Sequence, residues 1–78
     1  MQRVFVESTT LASAGHDAPS TVLELQFRNG ALYQYFGVPP RIYGDLMRAD
    51  SKGGYFNHNI RGKYPYQRIQ DATSATRP

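Results

Sequence analysis

The sequence predicts a small α+β domain, in which a small antiparallel β-meander sheet packs against one or two short helices. Apolar and polar residues alternate from Thr21 to Arg28, as they do in a half-buried strand. A hairpin signal, Asn29-Gly30, follows, and apolar residues recur at helical spacing after Pro39-Pro40. With 78 residues and no cysteine, the chain has room for one small domain that is stabilised by packing and not by disulfides.

Two short strands are predicted before the alternating segment. Val4-Phe5-Val6 is β-branched and aromatic, and Leu11 to Gly15 can form a second strand from small residues. His16 to Ser20 has the composition of a turn. The third strand then places three apolar side chains on one face, Leu23, Leu25 and Phe27. Its other face carries Glu24, Gln26 and Arg28.

The length of the hairpin loop decides which face the next tyrosines share, because a shift of one residue in register exchanges the faces of the returning strand. A two-residue loop, Asn29-Gly30, would pair Phe27 with Leu32. Tyr33 and Tyr35 would then lie on the polar face and form an exposed stacking platform.

A three-residue loop over 28–30 is the register that we favour. It is a type I turn that ends in a glycine bulge, and it pairs Leu25 with Tyr33 and Leu23 with Tyr35. Both tyrosines then line the core. The same register places Leu32 and Phe36 of the returning strand on the opposite face, where other parts of the chain would have to cover these apolar side chains.

Two helices are predicted after this hairpin. Pro39-Pro40 suits a first helical turn, where a missing N–H costs nothing. The first helix has an apolar stripe, which consists of Ile42, Tyr43, Leu46 and Met47. The second is predicted over Lys52 to Arg61, with Asp50 or Ser51 as N-cap and Gly62 as C-cap. Because Gly53-Gly54 weakens its start, a loop with outward-facing amides is the alternative for that first turn.

The end of the chain is predicted to be extended and then flexible. Lys63 to Ile69 reads as an edge or irregular strand, because Pro65 cannot donate to a ladder. Residues 70–78 are small and polar, as in a flexible C-terminal tail. The predicted domain therefore comprises residues 1–69.

Positive charge is concentrated between Arg41 and Arg68. This segment holds six basic residues and two acids, whereas the rest of the chain holds three basic residues and four acids. The basic residues are Arg41, Arg48, Lys52, Arg61, Lys63 and Arg68. Tyrosine and phenylalanine lie among them, and cations mixed with flat rings suit an anion that carries aromatic bases. We expect a phosphate-tracking surface here, or else an ordinary solvated face.

Several short segments occur in one order over about Val4 to Ile69. They are Leu23-Glu24-Leu25-Gln26-Phe27, Asn29-Gly30, Tyr33-Gln34-Tyr35, Val38-Pro39, Ser51-Lys52-Gly53-Gly54-Tyr55-Phe56-Asn57, Ile60-Arg61 and Tyr64-Pro65-Tyr66. Together they resemble the KTSC domain. The tyrosine-x-tyrosine motif that characterises this family is Tyr33-Gln34-Tyr35. The family occurs at the C-terminus of some lysyl-tRNA synthetases and as stand-alone bacterial proteins. The resemblance implies a stand-alone form and RNA binding, without an established activity.

The candidate binding residues follow from charge and from this resemblance. For RNA or another nucleotide-bearing anion they are Arg41, Arg48, Lys52, Tyr55, Asn57, His58, Arg61, Lys63 and Tyr64. Ser51 to Gly54 could alternatively hold a single phosphate at a helix start. Asn57, His58 and Arg61 are polar neighbours on one turn and form a possible ligand-facing trio.

Other functions are weaker predictions. The scattered acids and the two lone histidines, His16 and His58, form neither a catalytic constellation nor a metal motif, so we expect no enzyme, metal or cofactor. No apolar stretch is long enough to cross a bilayer, and we expect a cytoplasmic protein. Two alternatives to RNA binding stay open. One is a protein-interaction or homo-oligomerisation module anchored by Tyr43, Tyr55, Tyr64 and Tyr66, and the other is capture of a small phosphorylated nucleotide.

Overall fold

The computed structural model describes residues 3–69, which form one antiparallel five-stranded sheet and two helices. The strands are β1 (Val4–Phe5), β2 (Leu11–Asp17), β3 (Val22–Phe27), β4 (Leu32–Phe36) and β5 (Tyr66–Ile69), in the sheet order β1-β2-β3-β4-β5. The helices α1 (Pro40–Arg48) and α2 (Lys52–Asn59) connect β4 to β5. This meander confirms the predicted α+β class. The tail predicted for residues 70–78 lies outside the described residues.

The hairpin between β3 and β4 has the three-residue loop that the sequence favoured. Leu25 pairs with Tyr33 and Leu23 with Tyr35. The Phe27 amide donates to the Ala31 carbonyl at 2.8 Å, so the loop comprises residues 28–30. It closes through Gly30, whose φ of 95° lies in the left-handed region that favours glycine. Tyr33 and Tyr35 consequently share the face of the buried leucines.

Strand β2 is longer than the sequence predicted. The turn was expected to begin at His16, but the strand continues to Asp17 and the turn occupies residues 18–21. The prediction for His16 was therefore wrong, and its partners explain why. It pairs with Leu23 across the sheet, its Nε2 lies 2.7 Å from the Val38 carbonyl oxygen, and its ring stacks on Tyr43 of α1.

The first helix confirms its predicted apolar stripe. Leu46 is fully buried, and Ile42, Tyr43 and Met47 pack around the core. Strand β2 and helix α2 both contact α1. The helix begins at Pro40, the second of the two prolines.

The second helix begins at Lys52, and it is a helix from its first turn, not the alternative loop. Ser51 is its N-cap, and the Ser51 hydroxyl oxygen accepts a hydrogen bond from the Gly54 amide at 3.1 Å. The helix ends at Asn59, earlier than the predicted Arg61. It ends early because the amides of Ile60 and Arg61 both donate to the Phe56 carbonyl, which interrupts the helical ladder.

The core lies between one face of the sheet and the two helices. Its fully buried side chains are Leu11, Leu23, Leu25, Val38, Leu46 and Ile60. The opposite face of the sheet contains the half-buried Leu32 and Phe36, and Ile69 of β5 pairs with Leu32. In the part of the chain that is described, no helix is long and apolar enough to cross a membrane.

Candidate functional site

A groove opens between α2 and the β4–β5 edge of the sheet, on the face that elsewhere forms the core. Its volume is about 650 Å³, which lies in the range of ligand pockets. We call it the tyrosine groove and define it by Tyr33, Tyr35, Tyr66, Asn57, Arg61 and Arg68. Thr10, Phe27, Asn29, Ala31, Phe56 and Gly62 also line it.

Strand pairing determines which side chains enter the groove. Tyr33 of β4 pairs with Arg68 of β5, and Tyr35 pairs with Tyr66. Residues two apart on a strand point to the same face. The two strands therefore present three tyrosines and one arginine together.

The rings of the groove pack against one another. The ring centroid of Tyr66 lies 5.6 Å from that of Tyr33 and 5.5 Å from that of Tyr35. Tyr33 and Tyr35 stack with centroids 6.2 Å apart. Phe56 of α2 meets Tyr35 edge-on at 5.6 Å and joins this cluster to the core. Such contacts hold the rings in fixed positions before any ligand arrives.

Exposure decreases from the edge of the sheet to the floor of the groove. Tyr66 is 60% exposed, Tyr33 is half-buried, and Tyr35 is only 5% exposed. The favoured register predicted that both tyrosines of the motif line the core. Tyr35 does so, whereas Tyr33 packs against the core and lines the open groove. Tyr66 and Tyr33 are therefore the more accessible rings of the groove, and Tyr35 packs beneath them.

The groove is electropositive. Arg61 enters from the end of α2 and Arg68 from β5, and in the described part of the chain neither a carboxylate nor a histidine lines the groove. Burial, with a smaller contribution from the neighbouring Tyr33 and Tyr66, raises the pKa of the Tyr35 hydroxyl to about 12, and Arg61 opposes this shift. Tyr35 therefore keeps its proton and remains a neutral hydrogen-bond donor at physiological pH.

Of the nine candidate binding residues predicted from the sequence, the groove brings together Asn57 and Arg61. Arg68, which belonged to the predicted basic surface, joins them. Lys63 and His58 are exposed and do not line the groove. The expected trio of Asn57, His58 and Arg61 therefore contributes two members here.

A second group of candidates lies around α1. Arg48 forms an ion pair with Asp45, with 2.6 Å between Nη2 and Oδ1. Burial and the nearby Asp45 carboxylate raise the pKa of the Tyr55 hydroxyl, while Arg41 lowers it, so these side chains are electrostatic neighbours. Tyr64 also raises the pKa of Tyr55. This cluster contains its own acid, which lowers its attraction for an anion.

Lys52 lies in a third place, a polar cleft of about 380 Å³ beside the start of α2. Its ammonium group donates to the Ala49 carbonyl at 3.1 Å. Glu7 and Asp50 line the same cleft, and their carboxylates oppose a bound phosphate. Packing explains the glycine at position 53, because a Cβ there would lie 2.5 Å from the Thr10 Oγ1 atom. A phosphate site at Ser51 to Gly54 thus stays a prediction.

Among residues 3–69, no three histidine or acidic side chains gather in a way that could hold a metal ion. Sequence reasoning assigned Tyr66 to a protein interface and did not place it beside the tyrosine motif. The available signal was the two-residue spacing of Tyr66 and Arg68, which puts both on one face of a strand. What was missing was the pairing of that strand with β4.

Known proteins similar to this chain agree with this architecture. The family model described as KTSC domain matches residues 7–64. The chain is 43% identical over 70 residues to an uncharacterised protein of Stutzerimonas stutzeri, covering 88% of this chain and 99% of the relative. It is 33% identical over 63 residues to a lysine–tRNA ligase of Nostoc punctiforme, covering 81% of this chain but 11% of the ligase.

The same architecture occurs in a solved structure. A crystal structure of a KTSC domain protein from Yersinia pestis superposes with a TM-score of 0.85 at 43% identity. The match covers 88% of this chain and 97% of that one. Sequence, family model and three-dimensional likeness therefore agree, and the chain belongs to the KTSC domain family.

Proposed function

We propose that the chain binds RNA, or another anion that carries nucleotide bases, in the tyrosine groove. The observation that carries this proposal is that accessible tyrosine rings lie beside two guanidinium groups in a groove that, within residues 3–69, no carboxylate lines. Guanidinium groups neutralise phosphates, and aromatic rings stack on bases. The proposed role is binding and not catalysis, because a general base or paired acids would be needed in the groove for most reactions.

The relatives support a choice of first ligand. Several proteins that carry a similar segment have the name lysine–tRNA ligase. We therefore propose tRNA as the first RNA to test, beside an unrelated RNA of similar length. A cytoplasmic location is part of the same proposal.

The test is a titration of the whole chain with labelled RNA at two salt concentrations. Arg68→Gln should weaken binding and reduce the slope of log affinity against log salt by about 1, because one phosphate contact is lost. Arg41→Gln is the matched control, since Arg41 is an exposed arginine outside the groove. Absence of binding to either RNA at low salt, or equal effects of both substitutions, would contradict the proposal.

A second candidate, homo-oligomerisation, has one specific observation in its favour. Phe5 is 86% exposed and Val4 is 52% exposed on the edge strand β1. An exposed apolar edge strand is a common site of association. Light scattering across a range of protein concentrations tests this candidate, and a mass that stays at one chain would remove it.

A further inference from the structure

We infer that the tyrosine groove accepts a single unpaired nucleotide of an RNA strand, with its base against Tyr33 and Tyr66 and its flanking phosphates at Arg61 and Arg68. This inference rests on the proposed function and specifies the form of RNA that the groove recognises.

The shape of the site favours an unpaired base. The accessible rings lie inside a groove between a helix and a sheet edge, not on a protruding surface. In an RNA duplex the base faces are stacked on their neighbours, and side chains cannot reach them without disrupting the helix. Only a base that is turned out of a stack can place its face on Tyr33 or Tyr66.

The accessible rings form a stacking surface that is about as large as one base. Tyr66 is the most exposed ring of the cluster, and its ring centroid lies 5.6 Å from that of Tyr33 and 5.5 Å from that of Tyr35. Tyr35 is almost fully buried, so it supports the cluster from below. The accessible aromatic surface therefore comes from two rings, on adjacent strands that are about 4.8 Å apart.

The cations enter the groove from two different elements. Arg68 is the cross-strand partner of Tyr33 on β5, whereas Arg61 follows the end of α2 on the other side of the groove. A nucleotide whose base lies on the rings has a phosphate on either side along its strand. Asn57, on the helix wall, supplies an amide that can donate to and accept from the edge of the base.

Tyr66 is the residue that tests this inference, because its 60% exposure allows substitution without loss of the core. Tyr66→Phe keeps the ring, and Tyr66→Leu keeps apolar bulk without it. A stacked base is worth about 1–3 kcal/mol, so Tyr66→Leu should weaken binding of a short single-stranded RNA by roughly tenfold or more. Tyr66→Phe should change the affinity by no more than about threefold.

Four probes complete the experiment: the single-stranded RNA, the same strand annealed to its complement as a blunt duplex, ribose 5-phosphate, and inorganic phosphate. We expect the single strand to bind at least about tenfold more tightly than the duplex, and ribose 5-phosphate to bind no more tightly than inorganic phosphate. The chain contains six tyrosines and no tryptophan, so tyrosine fluorescence also reports stacking directly.

Failure of this inference is distinguishable from failure of the proposed function. If the duplex binds as tightly as the single strand, or if Tyr66→Leu has no effect while Arg68→Gln weakens binding, RNA binding stands and the unpaired nucleotide is excluded. If no RNA binds, both proposals fail. Binding of ribose 5-phosphate as tight as that of the single strand would likewise overturn the inference, because it would leave no role for the base.

Discussion

Tyr35 joins the core of this protein to its groove. Its ring contacts Phe56 on the core side and Tyr33 and Tyr66 on the groove side. Because it is 5% exposed, it holds the accessible rings in place and does not itself meet a ligand face to face. The second tyrosine of the family motif therefore packs within the fold, while the first is half-buried and lines the groove.

The raised pKa of Tyr35 makes this position measurable. In the unfolded chain the hydroxyl ionises near its ordinary pKa of 10.0, whereas burial raises the folded-state pKa to about 12. The unfolded state thus loses its proton first, and stability should fall as the pH rises from about 10 to about 12. In an absorbance titration, Tyr35→Phe should remove the ionisation near pH 12, and Tyr43→Phe should leave it in place. An unchanged titration of Tyr35→Phe would show that the hydroxyl is not buried as described.

Gly53 shows how closely α2 approaches the loop before β2. A Cβ built at this residue would lie 2.5 Å from the Oγ1 atom and 3.0 Å from the Cβ atom of Thr10. We expect Gly53→Ala to lower the free energy of unfolding by about 1–3 kcal/mol, as other overpacked substitutions do. Urea unfolding of the original chain and of the variant measures this difference in free energy.

The controls for Gly53→Ala use the neighbouring helix and the contacted side chain. Gly44→Ala on α1 should stabilise by up to about 1 kcal/mol, because the added Cβ would meet only the flexible Arg48 side chain, at 3.4 Å. In a Thr10→Ala background the Gly53→Ala cost should shrink, since the nearest atom is gone. An equal cost in both backgrounds would contradict the close approach.

At the scale of elements, the hairpin register was predictable from the sequence, because only one loop length collects the leucines and tyrosines on one face. The two helices were likewise predictable from the spacing of Ile42, Leu46, Phe56 and Ile60. The end of β2 was not, because His16 lies in a segment with the composition of a turn and its place in the strand depends on its contacts with Leu23, Val38 and Tyr43. Local composition does not predict those tertiary contacts.

The start of α2 gives a prediction for an element. Ser51 accepts a hydrogen bond from the Gly54 amide, which would otherwise lack a helical partner. Ser51→Ala should lower the free energy of unfolding by about 0.5–2 kcal/mol. Thr9→Ala, at an exposed position in the same cleft, is the matched control and should stay within about 0.5 kcal/mol of the original. Denaturant unfolding compares them, and equal stabilities of the two variants would contradict a capping role.

At the scale of the whole molecule, the fold distributes the basic side chains over several places. Arg61 and Arg68 line the tyrosine groove, Lys52 lies in the polar cleft, and Arg48 pairs with Asp45 on α1. The charge asymmetry of the sequence therefore does not correspond to one continuous patch. Two arginines give the groove its charge, and no acid among residues 3–69 lines it, although these arginines are a minority of the basic residues.

The candidate site could be predicted in part. Asn57, Arg61 and the tyrosine motif were identified from the sequence, but their meeting with Tyr66 and Arg68 depends on β5 pairing with β4 across two intervening helices. That pairing is a contact between distant segments, which periodicity along one strand cannot specify. For the same reason, the candidate binding residues included Arg41 and not Arg68, whereas in the fold Arg68 lines the groove and Arg41 lies outside it.

The most direct test of the account is a nuclear magnetic resonance titration of the labelled chain with a short single-stranded RNA. We predict that the largest shift changes occur at Tyr33, Tyr66, Arg61 and Arg68, with Asn57 affected and α1 unchanged. Changes concentrated on α1 around Arg41 and Arg48, or no changes at saturating RNA, would contradict the claim that the tyrosine groove is the binding site.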